Sequence, residues 1–116
     1  MDGQVDLTLA ALADKTRREV VELLRETPRR PSDIADALAL SRPALSRHLR
    51  VLRQAGLVSE EVQVDDARAR LVQLRREPFV ALGSWVADVT ALWEGQLAAF
   101  KQHVERAPAN KPRGKR

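Results

Sequence analysis

The spacing of apolar residues divides the chain into helical and extended segments. Between residues 57 and 74 the β-prone residues form two runs separated by Asp65-Asp66-Ala67, which predicts a two-stranded hairpin. Asp14 is predicted to cap the second helix, which ends before Pro28. Steps of three and four between apolar residues, or short apolar runs without breakers, predict helices around residues 5–13, 20–24, 34–38, 45–52 and 82–104. The pattern therefore predicts a mainly α fold with a small β-hairpin wing.

The two middle helices carry start and stop signals. Ser32 is predicted to cap a short helix that ends near Leu40, and Ser41 to cap the next one. Pro43 suits the first turn of that helix, and Gly56 suits a left-handed residue at its end. Two capped helices joined by a short turn predict a helix-turn-helix, here followed by the wing.

Positive charge is concentrated on the second helix of this motif. Residues 41–56 hold four arginines, and no acid occurs anywhere in residues 37–59. The formal net charge of the chain is +4, and the acid-free residues 107–116 account for all of it. We therefore expect residues 1–106 to form one DNA-binding and dimerisation domain, followed by a disordered basic tail at 107–116.

The arginine-rich helix is interpreted as a DNA recognition helix. Arg42, Ala44, Ser46 and Arg47 lie on its N-terminal half and are predicted to reach base edges, because they combine guanidinium donors with a hydroxyl and a methyl group. Arg50 and Arg53 are predicted to reach phosphates. The alternative is that all these side chains form a solvated face of an amphipathic helix.

Four further residues are candidate DNA contacts. Ser41 is either a cap alone or a cap that also lies near phosphate. His48 reaches DNA or packs between helices. Arg68 and Arg70 are two apart and so point to one side of a wing strand. The acids at 65–66 argue against tight insertion of the wing tip into the minor groove.

The last helix carries an apolar stripe wider than a lone surface helix needs. Pairing with a second copy would cover it, so we expect a homodimer. The predicted interface residues are Leu7, Leu82, Trp85, Val86, Val89, Trp93, Leu97 and Phe100. The alternative is that the two tryptophans, Trp85 and Trp93, line a pocket for an effector.

The motif SRPALSRHLRVLRQAGLV, with LADKTRREVVELL and SDIADALAL before it, resembles the ArsR/SmtB-type winged helix-turn-helix repressors of bacteria. The resemblance covers residues 9–75. It implies a homodimer held by its first and last helices, with two recognition helices placed in successive major grooves of a palindromic operator. The segment ALWEGQLAAFKQHVE is similar to the branch of the family that lacks a metal sensor.

Other functions are disfavoured by composition. The chain has no cysteine, and His103 with Glu105 cannot fill a tetrahedral metal site alone. We expect no metal, no other cofactor and no catalysis, because nucleophile-and-base sets and phosphate loops are missing. No export or membrane segment is recognisable, which favours the cytoplasm. The sequence identifies no effector.

The predicted function is therefore sequence-specific regulation of transcription, with repression of its own operon. Two other classes stay open. A sequence-indifferent nucleoid or RNA-binding module would use the arginines for phosphate only. A protein-interaction module would pair its last helix with a different protein.

Overall fold

The computed structural model describes residues 3–62 and 70–106 of the 116-residue chain. The predicted hairpin turn, Arg68 and the predicted tail at 107–116 lie outside the described residues. Within these ranges the elements are α1 (Gly3–Leu12), α2 (Lys15–Glu26), α3 (Pro31–Leu38), α4 (Arg42–Gln54), β1 (Val58–Val62), β2 (Arg70–Leu74) and α5 (Arg76–Arg106). The chain divides into two compact units, the first ending at Leu82 and the second beginning at Gly83.

The core of the first unit lies between α2, α3, α4 and the base of the hairpin. Val20, Ile34 and Leu52 are fully buried in it, as are Leu57 and Val72 at the hairpin. Burying an aliphatic side chain of this size contributes about 1.5–3 kcal/mol. The predicted mainly α architecture with a β-hairpin is confirmed.

Three of the predicted helix signals are confirmed. The Asp14 carboxylate accepts a hydrogen bond of 3.0 Å from the backbone N–H of Arg17 at the start of α2. The Ser41 hydroxyl accepts one of 3.2 Å from the backbone N–H of Ala44. Gly56 has a φ of +78°, so it ends α4 in the left-handed region.

The prediction that Ser32 caps α3 is wrong. The helix begins two residues earlier than a Ser32 cap implies, at Pro31, and Arg30 occupies the N-cap position without a side-chain hydrogen bond. Proline at the first helical position explains the shift, because its fixed φ suits the helix and its missing N–H is not needed there. Ser32 is therefore a half-buried residue inside the first turn.

The turn of the helix-turn-helix contains a residue in an unusual conformation. Ala39 has a φ of +55°, the positive-φ region that favours glycine. The N–H of Leu40 donates a 2.9 Å hydrogen bond back to the carbonyl of Ala35, which closes the end of α3. The turn is thus tightly hydrogen-bonded, with an alanine in a conformation where it is strained.

The hairpin is antiparallel, and its register runs from Val58 opposite Leu74 to Val62 opposite Arg70. Arg29, in the segment between α2 and α3, also pairs with the hairpin. The N–H of Arg29 donates to the carbonyl of Val72 at 3.0 Å, and the N–H of Val72 donates back at 2.8 Å. This bridge fixes the base of the wing to the segment between α2 and α3.

The described part of the second unit is the stretch of α5 that begins at Gly83. Its large apolar side chains are exposed, including Trp93 at 63% and Phe100 at 65%. Two of the predicted interface residues lie in the first unit. Leu7 is exposed at 51%, and Leu82 is half-buried. Of the helices that the structure describes, none combines the length and apolar character needed to cross a membrane.

Candidate nucleic-acid interface

Three leucines set the orientation of α4. Leu45, Leu49 and Leu52 are 2%, 4% and 0% exposed, and they form a single row along the helix. Successive residues of a helix are rotated by about 100°, so the remaining side chains fall into rows on either side of this one and opposite to it. The predicted DNA-contacting residues of α4 do not share one row but divide among three.

The row opposite the leucines contains Arg47 and Arg50. Both side chains are exposed, and within residues 3–62 and 70–106 neither forms an ion pair. Their guanidinium groups can therefore bind bases or phosphates without breaking an ion pair to any described residue. Arg47 and Arg50 lie side by side on the outward side of the helix, and their contacts with bases and phosphates stay predictions.

The row on the wing side contains Arg42, Ser46 and Arg53. These residues line a groove of about 390 Å³ together with Pro31 of α3 and Glu60 and Arg70 of the hairpin. The groove brings Arg70, which was predicted from the wing strand, to the same place as three residues of the recognition helix. This convergence arises from the packing of the hairpin on α4.

Glu60 connects two of the predicted DNA-binding arginines. Its carboxylate lies 2.6 Å from Nη1 of Arg53 and 3.6 Å from Nη1 of Arg70, and its side chain is 20% exposed. The ion pairs hold the end of α4 against the wing. A DNA phosphate that binds either arginine here must compete with this carboxylate, so Glu60 lowers the positive potential of the groove.

The row on the α2 side contains Ala44 and His48, both half-buried. Nδ1 of His48 lies 3.4 Å from Nη1 of Arg17, and Nε of Arg17 donates a 2.7 Å hydrogen bond to the carbonyl of Ala11. This geometry favours the interpretation that His48 packs between helices. A contact between His48 and DNA stays a prediction.

The start of α2 adds an acidic group to this cluster. The pKa of Asp14 is lowered, first because its carboxylate accepts the hydrogen bond from the backbone N–H of Arg17, and further by the charge of the Arg17 guanidinium. The charged form of Asp14 therefore stabilises the first turn of α2, against which His48 packs.

A side-chain hydrogen bond joins α1 to the end of the recognition helix. Nε2 of Gln4 donates to the carbonyl of Ala55 at 2.9 Å, and the fully buried Thr8 donates from Oγ1 to the carbonyl of Gln4 at 2.9 Å. The sequence contains no signal for this link, because Gln4 and Ala55 are far apart in the chain and neither local pattern indicates the other residue. It ties the position of α4 to that of α1.

In the ranges that the structure describes, no group of three or more histidine, cysteine, aspartate or glutamate side chains is close enough to hold a metal ion. His103 is exposed on α5.

Comparisons with known proteins identify the family. The model described as "Bacterial regulatory protein, arsR family" matches residues 14–60, which include all of α2, α3 and α4. The chain is 35% identical over 100 residues to the HTH-type transcriptional regulator Rv2034 of Mycobacterium tuberculosis, covering 86% of this chain and 88% of that protein. The chain belongs to the ArsR family.

A further sequence relative and a solved structure are also regulators of transcription. The transcriptional repressor SdpR of Bacillus subtilis is 38% identical over 50 residues, which are 43% of this chain and 56% of that protein. A solved ArsR-like transcriptional regulator from Rhodococcus sp. RHA1 superposes with a TM-score of 0.73 at 28% identity, covering 90% of this chain and 96% of that one. This ArsR-family protein is a sequence-specific DNA-binding transcriptional regulator with a winged helix-turn-helix fold, as predicted.

Proposed function

We propose that this ArsR-family regulator is a homodimer that binds a palindromic operator and represses its own promoter together with a neighbouring gene. The two α4 helices of the dimer enter successive major grooves on one face of the duplex. Binding at the promoter then excludes RNA polymerase. The protein acts in the cytoplasm, where bacterial DNA is found.

The observation that carries this proposal is the outward face of α4. Its three leucines are buried, its arginines are exposed, and its N-terminus is capped by Ser41. A capped helix N-terminus also favours nearby anions through its free N–H groups and its dipole. The helix is thus held rigidly at its apolar side while its cationic side is presented for DNA.

The exposed apolar residues of α1 and α5 support dimerisation. Leu7, Trp93 and Phe100 are each more than half exposed, although burial of large apolar side chains is strongly favourable in water. Large apolar side chains exposed along a helix mark an interface. Two-fold pairing of identical surfaces covers it, and it also matches a palindromic operator.

The division of α4 into rows refines the proposed contacts. Arg47 reads a base edge, because it is exposed and free of ion pairs among the described residues. Arg42 and Ser46 act from the wing side of the helix, and Arg53 and Arg70 bind phosphate there after leaving Glu60. Arg50 binds phosphate beside Arg47.

Binding to the chain's own promoter tests the proposal. Fluorescence anisotropy at about physiological salt compares the DNA upstream of its own gene with unrelated DNA of the same length, and reporter assays measure transcription with and without the protein. We expect preferential binding and lowered transcription. Equal binding to both DNAs, combined with a steep salt dependence, would instead indicate a sequence-indifferent module. Preferential binding with unchanged or raised transcription would contradict repression alone.

A further inference from the structure

A second concave surface of the first unit lies away from the recognition helix. It is an open cavity of about 650 Å³ between the end of α1, one side of α2, the end of β2 and the start of α5. Its apolar lining consists of Leu12, Val21, Leu74 and Phe79. Val21 belongs to the buried core and the other three pack against that core, so the cavity floor is a fixed part of the fold. The volume lies in the range of about 300–1,000 Å³ that is usual for small-molecule sites.

The charged groups at this cavity are mainly cations. Arg18, Arg25, Arg75 and Arg76 line it, and Glu22 is the one acid among the described residues of its lining. Glu22 lies 2.7 Å from Nη1 of Arg25 and so compensates that guanidinium.

The other cations differ in how they are held. Nη1 of Arg18 donates a 2.8 Å hydrogen bond to the carbonyl of Leu12, which fixes its charge beside the cavity. Arg75 has a looser ion pair of 3.6 Å with Glu77, and its side chain is 51% exposed. In the part of the chain that the structure describes, Arg76 has no ion pair. The cavity thus combines an apolar floor with an excess of guanidinium groups.

We propose that this cavity binds a small amphipathic anion, a monocarboxylate with an apolar body. The apolar body would lie on the floor formed by Leu12, Leu74 and Phe79, and the carboxylate would accept hydrogen bonds from Arg75 or Arg76. Arginine suits this role because its planar guanidinium pairs with a carboxylate through two parallel hydrogen bonds. An apolar cation would meet an unfavourable charge, and an uncharged analogue would lose the charge-assisted bonds.

The cavity is distinct from the DNA-binding surface. None of the predicted DNA contacts on α4 lines it, so an occupant would not displace DNA. The proposal does not depend on operator binding, and it is tested without DNA present.

Isothermal titration calorimetry with decanoate tests the site. We expect saturable binding of one decanoate per chain below its micelle concentration, at least about tenfold tighter than decanol and with no detectable binding of decyltrimethylammonium. The variant carrying Arg75→Gln and Arg76→Gln is expected to bind decanoate at least about tenfold more weakly, because both substitutions remove cations without changing the floor. Arg30→Gln, an exposed arginine that does not line the cavity, is the matched control and should bind as the unmodified protein does.

Several results would overturn the proposal. These are absence of saturable decanoate binding, equal affinity for decanoate and decanol, or an unchanged affinity in the double variant. Sedimentation with phosphatidylglycerol vesicles, without binding of monomeric decanoate, would assign the cations to a membrane surface instead. A decanoate affinity that falls as protein concentration rises would mean that a second copy of the chain covers the cavity. Circular dichroism of each variant checks that the fold is intact.

Discussion

Helices α4 and α5 are both amphipathic, but their apolar sides have opposite environments. In α4 the apolar row is buried, with Leu52 at 0% exposure, and the arginines face solvent. In α5 the apolar residues themselves face solvent, with Leu92 at 69% and Trp93 at 63%. An apolar stripe therefore predicts that a helix face is buried, but it does not show which chain buries it. For α4 the cover comes from the same chain, whereas for α5 we propose a second copy.

Charge placed on the apolar side of α5 should give the largest effect. Trp93→Glu is expected to prevent dimerisation, since a carboxylate would be buried without a partner, and to weaken operator binding at least about a hundredfold through loss of the second half-site contact. Light scattering measures the mass and anisotropy measures binding. Gln102→Glu is the control, because Gln102 is exposed and lies on the opposite side of the helix from Trp93. A dimeric Trp93→Glu protein would place the interface elsewhere.

Two arginines of α4 separate base reading from phosphate binding. Arg47→Ala is expected to cost about 1–3 kcal/mol on the operator and to relax base preference at one position. Arg53→Ala should weaken binding to all sequences similarly and lower the salt slope by about one. Anisotropy titrations over a series of salt concentrations and single-base operator variants measure both quantities. Identical behaviour of the two variants would refute the proposed division of roles.

Removal of the carboxylate in the groove tests whether Glu60 restrains DNA binding. Glu60→Gln is expected to increase affinity for every DNA by roughly 1 kcal/mol, about fivefold. The reason is that a DNA phosphate no longer has to compete with a carboxylate for Arg53 and Arg70. The measurement is the same titration with operator and unrelated DNA. Glu61→Gln on the neighbouring, exposed position is the control. Weaker binding by Glu60→Gln would indicate that the carboxylate orients the arginines instead.

The strained alanine in the turn before α4 predicts a stabilising substitution. Ala39→Gly should raise the free energy of unfolding by about 0.5–1 kcal/mol, since glycine adopts a positive φ without steric cost. Urea denaturation measures the change. Ala37→Gly, within α3, should instead lower the stability by a similar amount. A loss of stability in both variants would show that the turn does not retain this conformation.

The smallest expected effect is the pH dependence of the Asp14 cap. The pKa of Asp14 in the folded protein lies below the ordinary value of 3.8. The cap therefore contributes its full stabilisation of the fold above pH 3.8, and this contribution is lost as the pH falls through the folded-state pKa. Denaturation at a series of acidic pH values should show this loss in the unmodified protein. Asp14→Asn keeps a capping side chain without a titrating charge, so its stability should change less over the same range. Equal pH profiles would exclude Asp14 as a contributor.

The recognition helix was largely predictable because its signals are local. The Ser41 cap, the Pro43 first turn and the Gly56 terminus each act within a few residues, and all three lie where the sequence placed them. The Ser32 cap was mispredicted because the proline directly before the serine begins the helix. Proline at position 31 prevailed, since it is already restricted to the helical φ.

The partners of the candidate site were not predictable in the same way. Glu60 reaches Arg53 only because the hairpin folds back on α4, and Arg17 reaches His48 only because α2 packs against that helix. The spacing of apolar residues along the chain indicates neither contact. The assignment of Arg42, Ser46 and Arg53 to one side of α4, and of Ala44 and His48 to another, likewise required the packed structure.

Local signals predicted the mainly α fold, the recognition helix and the concentration of cations on it, because these depend on spacing, caps and charge along one segment. Tertiary structure alone decided which arginines are paired with Glu60, that His48 is half-buried beside Arg17, and that an apolar cavity rimmed by arginines forms between α1, α2, β2 and α5. These features differ in the distance along the chain over which their interactions act. Backbone preferences and amphipathic patterns act over a few residues, whereas ion pairs and cavities depend on side chains that only long-range packing brings together.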